Sequence, residues 1–317
     1  MYRLELVKRN VQEIVTEEEL EELLNKKEAP CAYVGYEPSG KIHMGHVLTV
    51  NKLIDLQKAG FKVTVLLADV HAYLNRKGTL EEVRKIADYN RRCFVALGLD
   101  AKKTDFVYGS DYQFGAEYIL NVLKLSRAVN LNRARRSMDE VGRAMDDPTV
   151  SQIVYPLMQA VDIAMLKVDV AVGGIDQRKI HMLARENLKN IGFNTPVCIH
   201  TPILIGLDGT KMSSSKDNFI SVDDTGEEIY KKFKKAYCKI GDLENNPTLA
   251  ILRYHIFPRY ETVVIERPEK FGGNLIYTSY YEMEKDFVAE NVHPMDLKNA
   301  AAKYIDKILE SVRNVLL

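Results

Sequence analysis

Apolar residues along this chain recur at two spacings, and the changes from one to the other mark out the elements. After a charged, amphipathic N-terminal helix, Cys31 to Gly35 (CAYVG) predicts a short buried strand, and Val47, Val50, Leu53 and Ile54 then follow at helical spacing until Gly60. Phe61 to Ala68 (FKVTVLLA) predicts a second strand. Thr79, with Glu82 three residues on, predicts a capping box opening a long helix that closes near Gly98, and Asp105 to Tyr108 (DFVY) predicts a third strand. Further strand-like runs stand at Val168 to Val172 and Val197 to Ile203. Strands separated by helices at this spacing predict a doubly wound α/β domain with a mainly parallel sheet, whose ligands gather at the carboxyl ends of the strands.

From about Gly115 to Tyr155 no strand pattern interrupts the sequence, which predicts a helical insertion between the two halves of the sheet. From Gly226 the pattern changes again. EEIYKKFKKAY and the tail MDLKNAAAKYIDKILESVRNVL are helical and are joined by turns holding proline and glycine, so residues 226–317 are expected to form a separate, mostly helical domain.

At 317 residues the length suits about two domains, and 46% apolar with 28% charged residues is an ordinary soluble composition. Lys+Arg and Asp+Glu balance at 44 each, so a polyanionic partner must be met by a local patch rather than by an overall field. The N-terminus has no apolar signal core, and no window approaches the roughly 18 apolar residues of a membrane span. A cytoplasmic protein with no membrane partner is expected. Cys31, Cys93, Cys198 and Cys238 are far apart and form no C-x-x-C pair, which argues against zinc and against a disulfide framework. No metal site is expected, and the thiols should be reduced and mostly buried.

Two segments carry chemistry. GYEPSGKIHMGHVLTV sets His43 and His46 three apart where a strand and turn enter a helix, the place where free backbone N–H groups and the positive dipole end meet an anion. Imidazoles there can donate to phosphate oxygens, and Gly45 between them removes a side chain that would block a flat ring. GLDGTKMSSSKDNFISVDD brackets Met212, Ser213, Ser214 and Ser215 between Lys211 and Lys216, a polar loop whose cations and hydroxyls suit a moving phosphate group.

Together, in this order, HMGH and KMSSS resemble the "HIGH" and "KMSKS" signatures of the class I aminoacyl-tRNA synthetases. Ser214 stands where the second lysine belongs, so that lysine's role passes to Lys216 or is lost. AYVGYEPSG, YPLMQAVDIAMLKVDVAVGGIDQRKIHMLARE, and RPEKFGG with HPMDLKNA resemble the archaeal and eukaryotic tyrosyl-tRNA synthetases, over nearly the whole chain. That resemblance implies a Rossmann-like catalytic domain over residues 1–225, with the insertion at about 115–155 and the KMSSS loop at 211–215, and a helical anticodon-binding domain over 226–317.

It also implies roles. Tyr33 and Asp162 would hold the phenol hydroxyl of L-tyrosine, and Tyr155, Gln159 and Gln177 its α-amino group. His43, His46 and Lys211 would be catalytic. The implied ATP site is Gly35, His43, Gly45, His46, Asp176, Lys211, Met212, Ser213 and Ser214, with Asp176 on the ribose, Gly35 and Gly45 clearing space for the nucleotide, and Mg²⁺ accompanying it. Arg133, Arg135, Arg136, Arg178 and Lys179 would grip the acceptor end of tRNA(Tyr), and Phe271, His293 and Asp296 would read its anticodon. A homodimer through the insertion is implied as well. Three alternatives stand beside this reading: a tryptophan–tRNA ligase of the same fold, a small-molecule adenylyltransferase, and a non-catalytic RNA-binding paralogue.

Overall fold

The computed structural model describes residues 2–142, 146–210, 212 and 216–316. Where the sequence suggests one N-terminal helix there are two, α1 (Tyr2–Lys8) and α2 (Glu17–Lys26), with a short strand β1 (Glu13–Val15) between them. Thr16 separates strand from helix, because its hydroxyl accepts from the N–H of Glu19 at 3.2 Å and caps α2. The predicted strands at 31, 61 and 105 appear as β2 (Cys31–Tyr36), β3 (Lys62–Leu67) and β4 (Thr104–Tyr108). Between them lie α3 (Met44–Lys58), α4 (Asp69–Leu74) and α5 (Leu80–Ala96). The Thr79–Glu82 capping box opens α5 as predicted.

The insertion is helical: α6 (Ala116–Ser126) and α7 (Leu131–Ser137) lead into α8 (Val150–Met165). β5 (Val170–Gly174), α9 (Arg178–Asn187) and β6 (Val197–Thr201) complete the sheet. Its order is β1-β6-β5-β2-β3-β4, all parallel except β1, which runs antiparallel to β6. From β2 the chain moves outward to β3 on one side, while β5 returns on the other. The crevice of this doubly wound sheet therefore opens beyond the carboxyl ends of β2 and β5. A core of buried residues from β2, α6, α8, β5 and α9, among them Tyr33, Leu125, Val161 and Leu183, fixes the floor of that crevice.

The remaining elements are α10 (Gly226–Lys235), α11 (Pro247–Ile251), an antiparallel pair β7 (Val263–Ile265) and β8 (Leu275–Tyr277), α12 (Tyr280–Val288) and α13 (Pro294–Leu316). The chain divides into two compact units, Met1–Gly40 with Lys52–Ile203, and Lys41–Asn51 with Leu204–Leu317. This line differs from a boundary at 225. Residues 42–44 pair with 220–222, through Met44 N–H to Ile220 O at 3.0 Å and Val222 N–H to Ile42 O at 2.9 Å, so the HMGH segment belongs with the later chain. Among the described residues no helix is long and apolar enough to cross a membrane, and all four cysteines are free thiols, three of them buried.

Candidate functional site

In the first unit, α8 carries Tyr155, Gln159 and Asp162, spaced four and three apart so that they share one helix face. Asp162 is fully buried. Its Oδ1 accepts from the Tyr112 hydroxyl at 2.5 Å, Gln113 Nε2 at 2.8 Å and the Tyr118 hydroxyl at 2.8 Å. Its Oδ2 has no hydrogen-bond partner, and His71 Nε2 lies 3.5 Å from it. Burial raises the Asp162 pKa, against the opposing pull of His71 and of the three donors. Tyr33, on β2, is 1% exposed, and its hydroxyl is likewise buried without a partner. Burial, and then the Asp162 carboxylate, push the Tyr33 pKa far up, so the phenol keeps its proton as a donor. Two unmatched polar atoms buried at one site cost roughly 1–3 kcal/mol each, unless something supplies a hydroxyl that accepts from one and donates to the other.

Gly35 gives that arrangement room: a Cβ there would stand 2.8 Å from Tyr33 Oη. The residue first expected to clear space for a nucleotide thus makes way for the chain's own phenol. Tyr155 is buried and hydrogen-bonded to Glu37, and the edge of the His71 ring meets its own at 4.6 Å. Donating to Glu37 leaves the Tyr155 oxygen lone pairs for a cation. Gln159 Nε2 donates to Gln177 Oε1 at 3.2 Å, and Gln177 Nε2 to Asp176 Oδ2 at 3.3 Å, so these three form one chain at the carboxyl end of β5. Burial raises the Asp176 pKa.

Sequence reasoning missed Glu37, His71, Tyr112, Gln113 and Tyr118. The first four follow closely on the carboxyl ends of β2, β3 and β4, which is the signal that could have found them.

In the second unit, His43 and His46 open α3 with ring centroids 4.0 Å apart. Each Nδ1 accepts a backbone N–H, His43 from Gly45 and His46 from His43, both at 3.2 Å. Burial lowers their pKa values to about 4 and about 3. Both rings are therefore neutral near pH 7 and carry the proton on Nε2, a pair of N–H donors at a helix N-terminus. A Cβ at Gly45 would fall 2.9 Å from His43 Cε1, so the ring that glycine admits is that of His43. Lys41 pairs with Asp223 at 2.7 Å, tying the same segment to the loop that follows the KMSSS residues. Of that motif Met212 is described and lines a small apolar hollow with Met44, Leu207 and Ile220. Lys211, Ser213 and Ser214 lie outside the described residues. Lys216 donates to Thr210 Oγ1 at 3.1 Å.

The basic residues expected at RNA are in part already paired. Arg133 holds Glu186 at 2.9 Å, Arg178 holds Glu13 at 2.8 Å, and Lys179 reaches Asp139 and Glu140 at 3.3 and 3.2 Å. Arg135 and Arg136 are exposed on α7. Phe271 is exposed, with Lys270 Nζ 4.9 Å from its ring centre. His293 Nδ1 accepts from Met295 N–H at 3.1 Å, and its carbonyl takes the N–H of Asp296 at 3.0 Å, at the start of α13. Arg267, which sequence reasoning passed over, joins the two segments by donating to Gly273 O at 2.9 Å and Asn291 O at 3.0 Å.

The model of the family described as tRNA synthetases class I (W and Y) matches residues 25–310. A tyrosine–tRNA ligase of Methanosarcina barkeri is 85% identical over the full length of both chains. The crystal structure of a tyrosyl-tRNA synthetase from Archaeoglobus fulgidus, complexed with L-tyrosine, is 60% identical, covers 99% of each chain and superposes with a TM-score of 0.98.

Proposed function

The chain belongs to the class I tRNA synthetases of the tryptophan and tyrosine group, and from that premise we propose how its residues divide the work. Its reaction is tyrosine–tRNA ligation: ATP activates L-tyrosine to tyrosyl-adenylate, and the tyrosine passes to the terminal adenosine of tRNA(Tyr) with release of AMP. The tryptophan ligase and the non-catalytic paralogue fall away, since relatives at 60–85% identity over nearly the whole chain are tyrosine–tRNA ligases. A small-molecule adenylyltransferase falls away with them.

One observation carries the assignment of the amino-acid site: Tyr33 Oη and Asp162 Oδ2 are buried and unmatched. A phenol hydroxyl accepts from the first and donates to the second, whereas an indole N–H only donates. At the other end, Tyr155 Oη and the Gln159 and Gln177 amides receive the ammonium group, which leaves the carboxylate to attack the α-phosphorus as pyrophosphate departs. The Nε2–H groups of His43 and His46 donate hydrogen bonds that stabilise charge growing on the phosphate oxygens, and Lys211 with Met212, Ser213 and Ser214 meets the leaving group. Asp176 takes the ribose. Among the described residues no group of three or more His, Cys, Asp and Glu is placed to hold a metal, and Mg²⁺ would arrive on the nucleotide.

Residues 226–317 read the anticodon through Phe271, His293 and Asp296, while Arg135, Arg136, Arg133, Arg178 and Lys179 hold the acceptor end. The exposed apolar side chains of the insertion, Ile119, Leu120, Leu123 and Leu131, form the surface of a homodimer. The protein acts in the cytoplasm.

The test is pyrophosphate exchange with tyrosine, phenylalanine and tryptophan. Tyrosine drives it in the parent. Tyr33→Phe removes one partner of the substrate hydroxyl and narrows the preference for tyrosine over phenylalanine by about tenfold or more, the worth of one buried hydrogen bond. An unchanged ratio takes Tyr33 out of hydroxyl recognition.

A further inference from the structure

Beside the Gly173–Gln177 turn the sheet carries a polar row that the reaction described above leaves unused. The register of β1, β6 and β5 sets Glu13 opposite His200, and His200 opposite Gly173. Cross-strand partners point to one face, so the row presents a carboxylate, an imidazole and, where a third side chain would stand, an opening. α9 fills it. A Cβ at Gly173 would lie 2.9 Å from Gln177 Cγ and 3.2 Å from His181 Cε1. Gln177, the N-cap residue of α9, and His181 within it are four apart, and both occupy the space that a side chain at Gly173 would need.

Donors and acceptors along the row fix each proton. Arg178 Nε donates to both Glu13 oxygens, at 2.9 and 2.8 Å. The Glu13 carboxylate only accepts, so at His200 Nδ1, 2.9 Å away, the proton sits on the imidazole. Burial lowers the pKa of His200, and that of His181 to about 3, so both rings are neutral. His200 Nε2 is then an acceptor. It lies 3.0 Å from His181 Nδ1, which must donate. Both side chains are almost wholly shielded from solvent.

We infer that Glu13, His200 and His181 form a buried positioning relay, which locks His181 as its Nδ1–H tautomer and sets its ring as the backstop that orients Gln177 toward the substrate ammonium group. Their effect reaches the reaction only through Gln177, so the inference rests on the role proposed above for that residue.

Two measurements test it. In ¹⁵N–¹H correlation spectra of the histidine-labelled protein, between about pH 6 and 8, both His181 and His200 show the proton on Nδ1 and a bare Nε2. A protonated Nε2 on His181 overturns the relay, and since this experiment uses the unsubstituted protein it decides even if a variant fails to fold. In pyrophosphate exchange, His200→Phe raises the KM for tyrosine about tenfold, with kcat and the KM for ATP within about twofold of the parent. Glu13→Ala does the same. Glu13→Gln, whose amide oxygen still accepts from His200, restores the parent KM. Gln177→Ala separates the two ideas. If it leaves the tyrosine KM unchanged, the role given to Gln177 fails; if it raises that KM while His200→Phe does not, the relay alone fails.

Discussion

Asp162 divides two tasks between its two oxygens. Oδ1 gathers Tyr112, Gln113 and Tyr118, and Oδ2 is left without a partner, the atom proposed above to meet the substrate hydroxyl. Replacing Asp162 thus strips three buried donors of their acceptor along with the recognition group, whereas Tyr33→Phe deletes a single hydroxyl, which makes Tyr33 the cleaner probe of selectivity. His43 and His46 give a second prediction at this scale. An unfolded imidazole titrates near pH 6.5, and the folded values are about 4 and about 3. Above about pH 6.5 both states are neutral and these rings add no pH dependence. Below it the unfolded chain takes up protons that the folded chain refuses. Stability is then lost as the pH falls toward the folded values, by up to about 1.4 kcal/mol per pH unit for each histidine. Proton NMR should show the Cε1–H signals of both rings flat between about pH 8 and 5, and a midpoint near 6.5 would mean that the rings are charged donors instead. That Tyr33 and Asp162 belong to one buried site was implied by the family resemblance of the motifs beside them in sequence, and the Asp162 charge does act on the Tyr33 phenol. The donors that hold Asp162 were not, because they come from residues 112–118, some 50 positions away and brought there only by packing.

At the scale of elements, Gly45 is a helix residue kept small by its neighbour. Gly45→Ala adds up to about 1 kcal/mol of helix propensity, yet puts a methyl group within 2.9 Å of His43 Cε1 and must turn that ring. The expected result is a thermal midpoint unchanged or raised, a rate of adenylate formation lowered about tenfold or more, and a tyrosine KM left alone. A full rate with alanine present would show that the position of the His43 ring does not matter. Strands of five or six residues were readable from their apolar runs, and so was the capping box before α5. β1, β7 and β8 were not: each has three residues, too few to display a period of two, and each is defined by the partner it pairs with.

For the whole molecule, two predictions concern association. Leu120→Asp with Leu123→Asp places charge on the exposed apolar face of α6. Analytical ultracentrifugation should show the parent as a dimer and the variant as a monomer at micromolar concentration, and a parent that sediments as a monomer removes this face as an interface. Arg136→Ala should reduce the salt dependence of tRNA binding by about one phosphate contact and leave adenylate formation intact. Arg133 and Arg178 are less direct probes, because Glu186 and Glu13 already hold them and their removal also breaks those pairs. If adenylate formation fell in step with binding, Arg136 would be structural.

The alternation of apolar periods determined the class of fold, and the two signature segments with the glycine turn at 173–177 determined the family and its reaction, since each is a short pattern whose meaning is local; the roles proposed for Tyr33, Tyr155, Gln159, Asp162 and Gln177 come from that resemblance. Tertiary structure alone decided which oxygen of Asp162 remains available, what Gly35 and Gly45 make room for, that the histidine segment joins the later unit, and that Glu13, His200 and His181 meet in one row. Each of these depends on which distant groups a fold brings within hydrogen-bonding reach, and a donor 3 Å away in space leaves no trace in the spacing of residues along the chain.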